Sequence, residues 1–187
     1  MAHITGYALF DTAIGRCAIA WGERGITRCA LPATDEEALR RHIAPGSAQA
    51  GEQPAPPAIA AAITRSVALL AGARDDLRDL VLDLDDIPEF QRRDFATARA
   101  IAPGDTITYG ELARRLGTPG AARAVGQALG ANPFPIIVPC HRIVAANGRL
   151  GGFSAPGGAR TKLRMLQIEG ATSQLPRLSP SPLRNRR

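Results

Sequence analysis

The chain has 187 residues, and 23 Lys and Arg residues against 17 Asp and Glu residues give it a formal net charge of +6. That length corresponds to one domain or two small ones, and a hydrophobic content of 45% is enough to bury a core, which excludes wholesale disorder. No run approaches the roughly 18 apolar residues of a membrane span, and no basic segment with a long apolar run opens the chain. We therefore expect a cytoplasmic protein with no membrane partner.

The basic residues are almost all arginine, because Lys162 is the only lysine. Arginine binds phosphate through a planar fork, so the charge permits a nucleic-acid partner, although GC-rich coding explains the same excess equally well. An aromatic content of 4% argues against a single-strand binder built on base stacking. The cysteines do not form a disulfide framework. Cys17 and Cys29 lie in apolar, strand-like segments and are predicted to belong to the core, whereas Cys140 does not resemble them.

The first half of the chain is predicted to combine a β-meander with helices. Short β-rich runs separated by glycine-containing turns predict strands within residues 4–31. Acidic residues at the start and basic residues at the end predict a helix over residues 35–43. An aperiodic loop over residues 44–57, a helix over residues 58–72 and a half-buried strand over residues 80–86 follow.

The second half is predicted to be mainly helical, beginning with apolar residues at helical spacing over residues 89–101. Thr108 and Glu111 form a capping box at the start of the next helix, and Thr118 with Pro119 marks the start of another. Two helices joined by a short turn are typical of a helix-turn-helix, although such pairs are also common in proteins that do not bind DNA.

One side of the second helix in this pair carries only small residues, namely Ala121, Ala122, Ala124, Gly126, Ala128 and Gly130. This side is compatible with close packing against another helix. It is equally compatible with close approach to a nucleic-acid groove, in which Arg123 is the one long side chain that projects.

Three prolines within residues 133–139 exclude a helix and predict an extended segment that leads to Cys140, His141 and Arg142. A thiol reacts as a thiolate, which nearby cations and a base favour, but a buried Cys beside a structural His is the commoner explanation of an isolated pair. Neighbouring side chains of a strand point to opposite faces. Cooperation between Cys140 and His141 therefore requires either a turn or a bridging water.

The last predicted elements are a helix and a tail. The helix covers residues 160–168 and directs Leu163, Met165 and Leu166 inward. Residues 172–187 are rich in Pro, Ser and Arg, which predicts a basic, disordered tail.

The residues around Cys140 extend the pattern well beyond an isolated Cys-His pair. They read Asn132-Pro133-Phe134-Pro135-Ile136-Ile137-Val138-Pro139-Cys140-His141-Arg142-Ile143-Val144. This run strongly resembles the active-site motif of the O6-alkylguanine-DNA alkyltransferases, the methylated-DNA–protein-cysteine methyltransferases. The resemblance covers residues 88–170 and continues through Phe90-Gln91, Tyr109 to Ala113, Ala122 to Gly126, Gly148, Gly151 to Ser154, and Glu169-Gly170.

The resemblance implies a catalytic group made of Cys140, His141, Glu169 and Tyr109. Cys140 is the acceptor whose thiolate displaces the alkyl group from guanine O6, His141 deprotonates it through a water, and Glu169 orients His141. Tyr109 helps rotate the nucleotide out of the duplex and contacts the guanine. The thioether formed on Cys140 is stable, so each molecule acts once, and no cofactor or metal is required.

The resemblance also implies how DNA is bound. Arg123 fills the gap left by the flipped base, while Ala122, Ala124 and Gly126 let their helix lie against the minor groove. The residues implied to surround the substrate are Asn132, Arg142, Ile143, Gly151, Gly152 and Ser154. The implied partner is double-stranded DNA containing alkylated bases, bound by a monomer, and the choice between O6-alkylguanine and O4-alkylthymine stays open.

The implied fold class is α+β. A ribonuclease-H-like α/β domain is expected over residues 1–87, and a mainly helical, winged-helix-like domain with the helix-turn-helix and the nucleophile over residues 88–171. The tail over residues 172–187 would follow. Net charge is −4 over residues 1–87, +6 over residues 88–170 and +4 thereafter, so positive charge is concentrated where DNA binding is predicted.

Other functions fit the residues less well. A lesion-binding protein without repair activity would lack the motif cysteine, and a helix-turn-helix regulator leaves the motif unexplained. A Cys-His hydrolase would need an oxyanion arrangement that the neighbouring residues do not provide. The structural zinc of some relatives is not expected, because Cys17, Cys29, His3 and His42 lack convincing ligand spacing. Asp94 stands where relatives often carry an apolar residue.

Overall fold

The computed structural model describes residues 3–45, 50–146 and 149–171 as a mixed α+β protein. Within these residues there are six α-helices, a four-stranded sheet and a two-stranded sheet, so the predicted α+β class is confirmed. Gly148 and the predicted tail lie outside the described residues. Across the same ranges, no helix is long and apolar enough to cross a membrane.

The predicted β-meander is present in the first half of the chain. Strands β1 (Gly6–Thr12), β2 (Gly15–Gly22) and β3 (Gly25–Ala30) pair in antiparallel fashion, and β4 (Gly51–Glu52) joins β1 in parallel. The glycines that begin β2 and β3 have φ of +118° and +127°, a conformation that favours glycine and allows tight turns. The strand order is β3-β2-β1-β4, which leaves β3 at an edge of the sheet.

Successive side chains of each strand alternate between the two faces of the sheet, and each face packs against other elements. One face carries Cys17 and Cys29 into the main hydrophobic cluster with α2 (Pro57–Leu70). The opposite, alanine-rich face packs against α1 (Glu36–Ile43), whose N-cap Asp35 accepts a bond from the amide of Ala38 at 2.7 Å. The two cysteines are 0% and 4% exposed, which confirms their assignment to the core.

The predicted strand over residues 80–86 is wrong. Only Leu82 pairs with the sheet, through one parallel bridge to Ile26 on β3. The flanking bonds join Ile26 N to Val81 O at 2.9 Å and Asp83 N to Ile26 O at 2.8 Å. The Asp83 side chain then accepts a bond from the amide of Asp85 at 3.2 Å, and this local turn ends the pairing.

The four helices of the second half are α3 (Glu89–Arg99), α4 (Tyr109–Arg115), α5 (Ala122–Gly130) and α6 (Ala159–Ile168). Strand β5 (Ile107–Thr108) pairs in parallel with β6 (Ile143–Val144) and places α4 beside the Cys140 segment. The predicted cap of α4 is present, since Thr108 Oγ1 accepts a bond from the amide of Glu111 at 3.1 Å.

Helix α5 begins later than predicted. Thr118 and Pro119 were expected to cap and open it, but they form a turn in which the amide of Ala121 donates to Thr118 O at 3.1 Å. Gly120 has φ of +92°, which is incompatible with a right-handed helix. The first helical residue is therefore Ala122.

The segment over residues 133–139 is a compact turn and not the extended run that the prolines predicted. The amide of Val138 donates to Phe134 O at 2.8 Å, and Ile136 has φ of +79°. The Asn132 side chain holds the turn at both ends, accepting from Phe134 N at 2.9 Å and donating to Val138 O at 3.0 Å. One turn of 3-10 helix (Cys140–Arg142) follows, so the chain bends at Cys140.

The two halves of the chain share one hydrophobic cluster. It contains residues of β2, β3 and α2 together with residues of α3, α4 and α5. The amide of Cys29 on β3 donates to Pro133 O at 2.8 Å, and Arg99 donates to Leu77 O at 2.8 Å. The boundary at residues 87 and 88 stays a prediction, and so do the ribonuclease-H-like and winged-helix-like assignments.

Candidate active site

A cavity of about 820 Å³ opens between α4, α5 and the residues at 145–146 and 152–154, with Cys140 in its wall. Tyr109 and Arg123 line it from the two helices, and Gly152 and Ser154 line it from the opposite side. The hydroxyl of Ser154 donates to Gly130 O at 2.9 Å, which ties this side to the end of α5. The apolar cavity, with a few converging polar groups, has the character of a ligand site.

Cys140 is partly buried and belongs to the bend that follows Pro139. Burial raises the pKa of its thiol, while the Asn132 side chain and the positive charge of Lys162 act in the opposite direction. Asn132 therefore both holds the preceding turn and stabilises the thiolate. The turn that begins at Cys140 means that residues 140 and 141 do not belong to an extended strand.

His141 is 1% exposed and turns away from the cavity toward Glu169, with its Nε2 atom 2.9 Å from Glu169 Oε1. An ionised carboxylate only accepts hydrogen bonds, so Nε2 carries the proton of this pair. The remaining ring nitrogen, Nδ1, is buried and has no hydrogen-bond partner among residues 3–45, 50–146 and 149–171. Burial lowers the pKa of His141, so at neutral pH Nδ1 holds a free lone pair and can act as a base.

Glu169 also binds Arg142, and the two side chains are 4% and 1% exposed. Arg142 donates to both carboxylate oxygens, from Nε to Oε2 at 3.0 Å and from Nη2 to Oε1 at 2.8 Å, and its Nη1 donates to Ile101 O at 2.6 Å. Burial alone would raise the pKa of Glu169, but the bonds from His141 and Arg142 lower this pKa to about 2. The carboxylate thus stays ionised behind His141.

Two residues implied to surround the substrate lie elsewhere. Arg142 does not line the cavity, because its guanidinium is fully engaged by Glu169 and Ile101 O. Ile143 is 0% exposed on β6, and its carbonyl accepts a bond from Lys162 Nζ at 2.6 Å. Both residues support the site from behind and do not form its wall.

Lys162 is a further residue of the site that the sequence motifs do not single out, and it is 0% exposed on α6. Besides Ile143 O, its Nζ reaches Gly152 O at 3.4 Å and lies 5.6 Å from the centre of the Tyr109 ring. Burial lowers the pKa of Lys162 to about 8. Its status as the only lysine in an arginine-rich chain was the available signal, since an ammonium is a compact donor that fits where a guanidinium does not.

Tyr109 packs between glycines of two different segments. A Cβ at Gly126 would lie 3.7 Å from the ring, and one at Gly151 would lie 3.1 Å from it at a φ of +74°. The hydroxyl of Tyr109 donates to Gly152 O at 3.4 Å. Gly151 therefore allows close approach of its loop to the aromatic ring.

The small residues of α5 divide among the cavity, the outer surface and the core, where Ala128 is buried. Ala122 and Gly126 line the cavity, and Ala124 is exposed beside it. Arg123 is exposed and forms no ion pair with any residue in the described ranges. The exposed Arg123 and the small side chains beside it on α5 thus lie together at the cavity.

Comparisons with known proteins identify the family. The family model for the DNA-binding domain of 6-O-methylguanine DNA methyltransferase matches residues 89–171. A methylated-DNA–protein-cysteine methyltransferase of Mycobacterium bovis is 36% identical over 163 residues, which are 87% of this chain and 91% of that protein. Regulatory protein ada of Salmonella typhimurium is 38% identical over 164 residues, 87% of this chain, and the chain spans 45% of its length.

Solved structures give the same result at the level of the fold. The crystal structure of Mycobacterium tuberculosis OGT in complex with DNA superposes with a TM-score of 0.69 at 31% identity, covering 91% of this chain and 95% of that one. The Mycobacterium tuberculosis O6-methylguanine methyltransferase superposes with a TM-score of 0.71 at 35% identity, covering 91% and 94%. Similarity over nearly the whole chain confirms the predicted family: this protein belongs to the methylated-DNA–protein-cysteine methyltransferases.

Proposed function

We propose that this protein repairs alkylated DNA by transferring the alkyl group from O6-alkylguanine to its own Cys140. The observation that carries the proposal is the Cys140 thiol in the wall of the cavity of about 820 Å³, followed in the chain by His141, whose Nε2 atom is held by the buried carboxylate of Glu169. This is the nucleophile, base and orienting group of a hydrolase triad, applied to a displacement at carbon.

The reaction begins with the thiol proton. It passes through a bridging water to Nδ1 of His141, and the Glu169 carboxylate, held ionised by Arg142, stabilises the resulting imidazolium. The Cys140 thiolate then attacks the alkyl carbon, so that an S–C bond forms while the C–O6 bond breaks. The positive charge of Lys162 near the thiol favours the thiolate before the attack.

The guanine leaves with the electron pair of the broken bond and needs a proton. Tyr109 is the most acidic hydroxyl in the cavity wall, and burial raises its pKa, so that it keeps its proton at neutral pH. It is positioned to donate that proton to the departing base. The thioether left on Cys140 is not a leaving group for ordinary thiols, so each molecule reacts once.

DNA is expected to approach the face of α5. Arg123 enters the space that the flipped nucleotide vacates, and the small residues Ala122, Ala124 and Gly126 let the helix lie near the minor groove. Minor-groove contacts carry little base identity, which suits a protein that must find a lesion in any sequence. Asn132, Gly151, Gly152 and Ser154 form or support the wall that would hold the flipped base.

The proposal extends to the domain organisation, the oligomeric state and the localisation of the protein. We infer a ribonuclease-H-like domain over residues 1–87 and a winged-helix-like catalytic domain over residues 88–171, in a cytoplasmic monomer that is selective for alkylated bases. The helix pair α4 and α5, with β5 and β6 beside it, supports the second assignment.

The test is transfer of label from duplex DNA that contains O6-methylguanine with a labelled methyl group. Wild-type protein should gain one methyl group per molecule, located by mass analysis in the peptide that contains Cys140. The Cys140→Ser variant should gain none, and Cys17→Ser, which changes a fully buried core thiol that does not line the cavity, is the matched control. A lesion-binding protein without repair activity would bind the same DNA with its mass unchanged, and that outcome would overturn the proposal.

A further inference from the structure

A second cavity, of about 300 Å³, meets the first at Cys140 and extends from it toward the N-terminal sheet. Leu129, Phe153 and Ser154 line both cavities, so the two spaces are continuous around the thiol. The far wall of the second cavity is contributed by Arg28 of β3 and His42 of α1. Elements about a hundred residues from Cys140 in sequence therefore line the same cavity as the thiol.

Arg28 holds an unusual position for a charged side chain. It is half-buried, and its guanidinium forms no ion pair or hydrogen bond with any residue that the structure describes. Other arginines in this half of the chain are paired, as in Arg40 with Glu52 at 3.1 Å and Arg65 with Asp75 at 2.7 Å. Burial lowers the pKa of Arg28, yet a guanidinium stays charged at any physiological pH.

The second cavity carries positive charge without a compensating acid. No carboxylate is present among the described residues that line it. His42 does not add a second charge, because burial and the charge of Arg28 both lower its pKa and leave it neutral at neutral pH. The wall that faces Cys140 from the sheet therefore has one unpaired cation, suited to a carboxylate through a bidentate pair.

The position of Arg28 relative to Cys140 is set by the backbone. The amide of the next residue, Cys29, donates to Pro133 O at 2.8 Å and fixes the edge of β3 against the turn that leads to Cys140. Asn132 and Lys162 are the side chains that most lower the pKa of the Cys140 thiol. Arg28 thus acts at the far end of the cavity, on the distal part of a bound group and not on the thiol.

We propose that the second cavity receives the O6 substituent during transfer, and that Arg28 makes the protein select substituents whose far end is a carboxylate. The inference rests on the proposed function. In the transfer step, the Cys140 thiolate bonds to the carbon of the substituent that is attached to O6, the C–O6 bond breaks, and the guanine leaves with the electron pair. The carboxylate is unchanged and remains paired with Arg28, so no further reactant is needed.

Two free-base probes test the proposal: O6-(4-carboxybenzyl)guanine and O6-(4-carbamoylbenzyl)guanine. They have nearly the same shape and differ in charge, and the benzyl ring places the varied group away from the reacting carbon. The measurement is the ratio of the two rates of Cys140 alkylation, followed by intact mass. Wild-type protein should prefer the carboxylate by about tenfold, the effect of one charge-assisted hydrogen bond in a half-buried site, and added salt should reduce this ratio.

Variants distinguish an effect of the Arg28 side chain on this ratio from a general effect of the protein's surface charge. Arg28→Gln should bring the ratio close to one, and Arg28→Lys, which keeps the charge without the fork, should retain part of it. Arg41→Gln is the matched control, because Arg41 is an exposed α1 residue paired with Glu37, and it should leave the ratio unchanged. Because both probes are measured on the same variant, a loss of folded protein cancels in the ratio.

Three results would overturn the inference: a wild-type ratio near one, a preference that persists in Arg28→Gln, or weaker binding of unmodified duplex DNA in Arg28→Gln but not in Arg41→Gln. The last would identify the anion as a DNA phosphate. If both probes and the methylated DNA alkylate Cys140, but the two probes react at equal rates, only this inference fails. If none alkylates Cys140, the proposed function fails with it.

Discussion

Asp94 lies on α3 with its side chain fully buried, and neither carboxyl oxygen has a hydrogen-bond partner among the described residues. Burial raises its pKa to about 7. In the unfolded chain an aspartate titrates near pH 3.9. Between these two values the native state holds a proton that the unfolded state has released, so stability falls as the pH rises through this window.

The size of the effect follows from the pKa difference of about three units. Each unit corresponds to about 1.4 kcal/mol, so ionisation destabilises the native state by up to about 4 kcal/mol at pH 8 and by much less at pH 5. Asp94→Val replaces the carboxyl group by an apolar group of similar volume and should gain about 2–4 kcal/mol at pH 8. Asp94→Asn removes the charge but keeps a buried polar group without a partner, so its gain should be smaller.

The assay is urea unfolding of the wild type and both variants at several pH values between 5 and 8, with the free energy of unfolding compared at each. The difference between Asp94→Val and the wild type should grow with pH and level off above pH 7. Asp11→Asn is the control, since its side chain is 83% exposed and its change should stay within about 0.5 kcal/mol. A difference that is the same at pH 5 and pH 8 would refute the reasoning, because Asp94 would then not titrate in this range.

Three further predictions concern the site. Arg123→Ala should slow repair of duplex DNA at least about tenfold while leaving reaction with free O6-benzylguanine nearly unchanged, and equal losses on both substrates would exclude a role for Arg123 in filling the gap left by the flipped base. Glu169→Gln should destabilise the protein by about 3–5 kcal/mol, measured by urea unfolding, because the buried Arg142 charge loses its partner. It should also slow methyl transfer, with Arg142→Lys as the comparison that keeps the charge. Lys162→Met should move the pH profile of Cys140 alkylation by iodoacetamide to higher pH, since the cation that favours the thiolate is gone, and an unchanged profile would contradict this role.

Much of the local structure follows from the sequence because its signals are local. Glycine-bounded alternation predicts the three long strands, and Thr108 with Glu111 predicts the cap of α4, since each of these interactions joins residues a few positions apart. The residue types around Cys140 identify the family and the chemistry without any knowledge of distances. The strand over residues 80–86 and the start of α5 were mispredicted because a local turn and a left-handed glycine override periodicity.

The tertiary structure decided which groups meet. His141 and Glu169 are 28 residues apart, and Arg142 and Ile101 are 41 apart, so no local pattern shows that Arg142 serves Glu169 and not the substrate. The same holds for Lys162, because its burial near Tyr109 depends on how α6 packs. It holds also for Arg28, which lines the second cavity together with Cys140 because β3 lies at the edge of its sheet. The sequence alone thus predicted the nucleophile and its base. Packing determined the charges that surround them, because burial and pairing, which set the energy of a charge, belong to the folded chain as a whole.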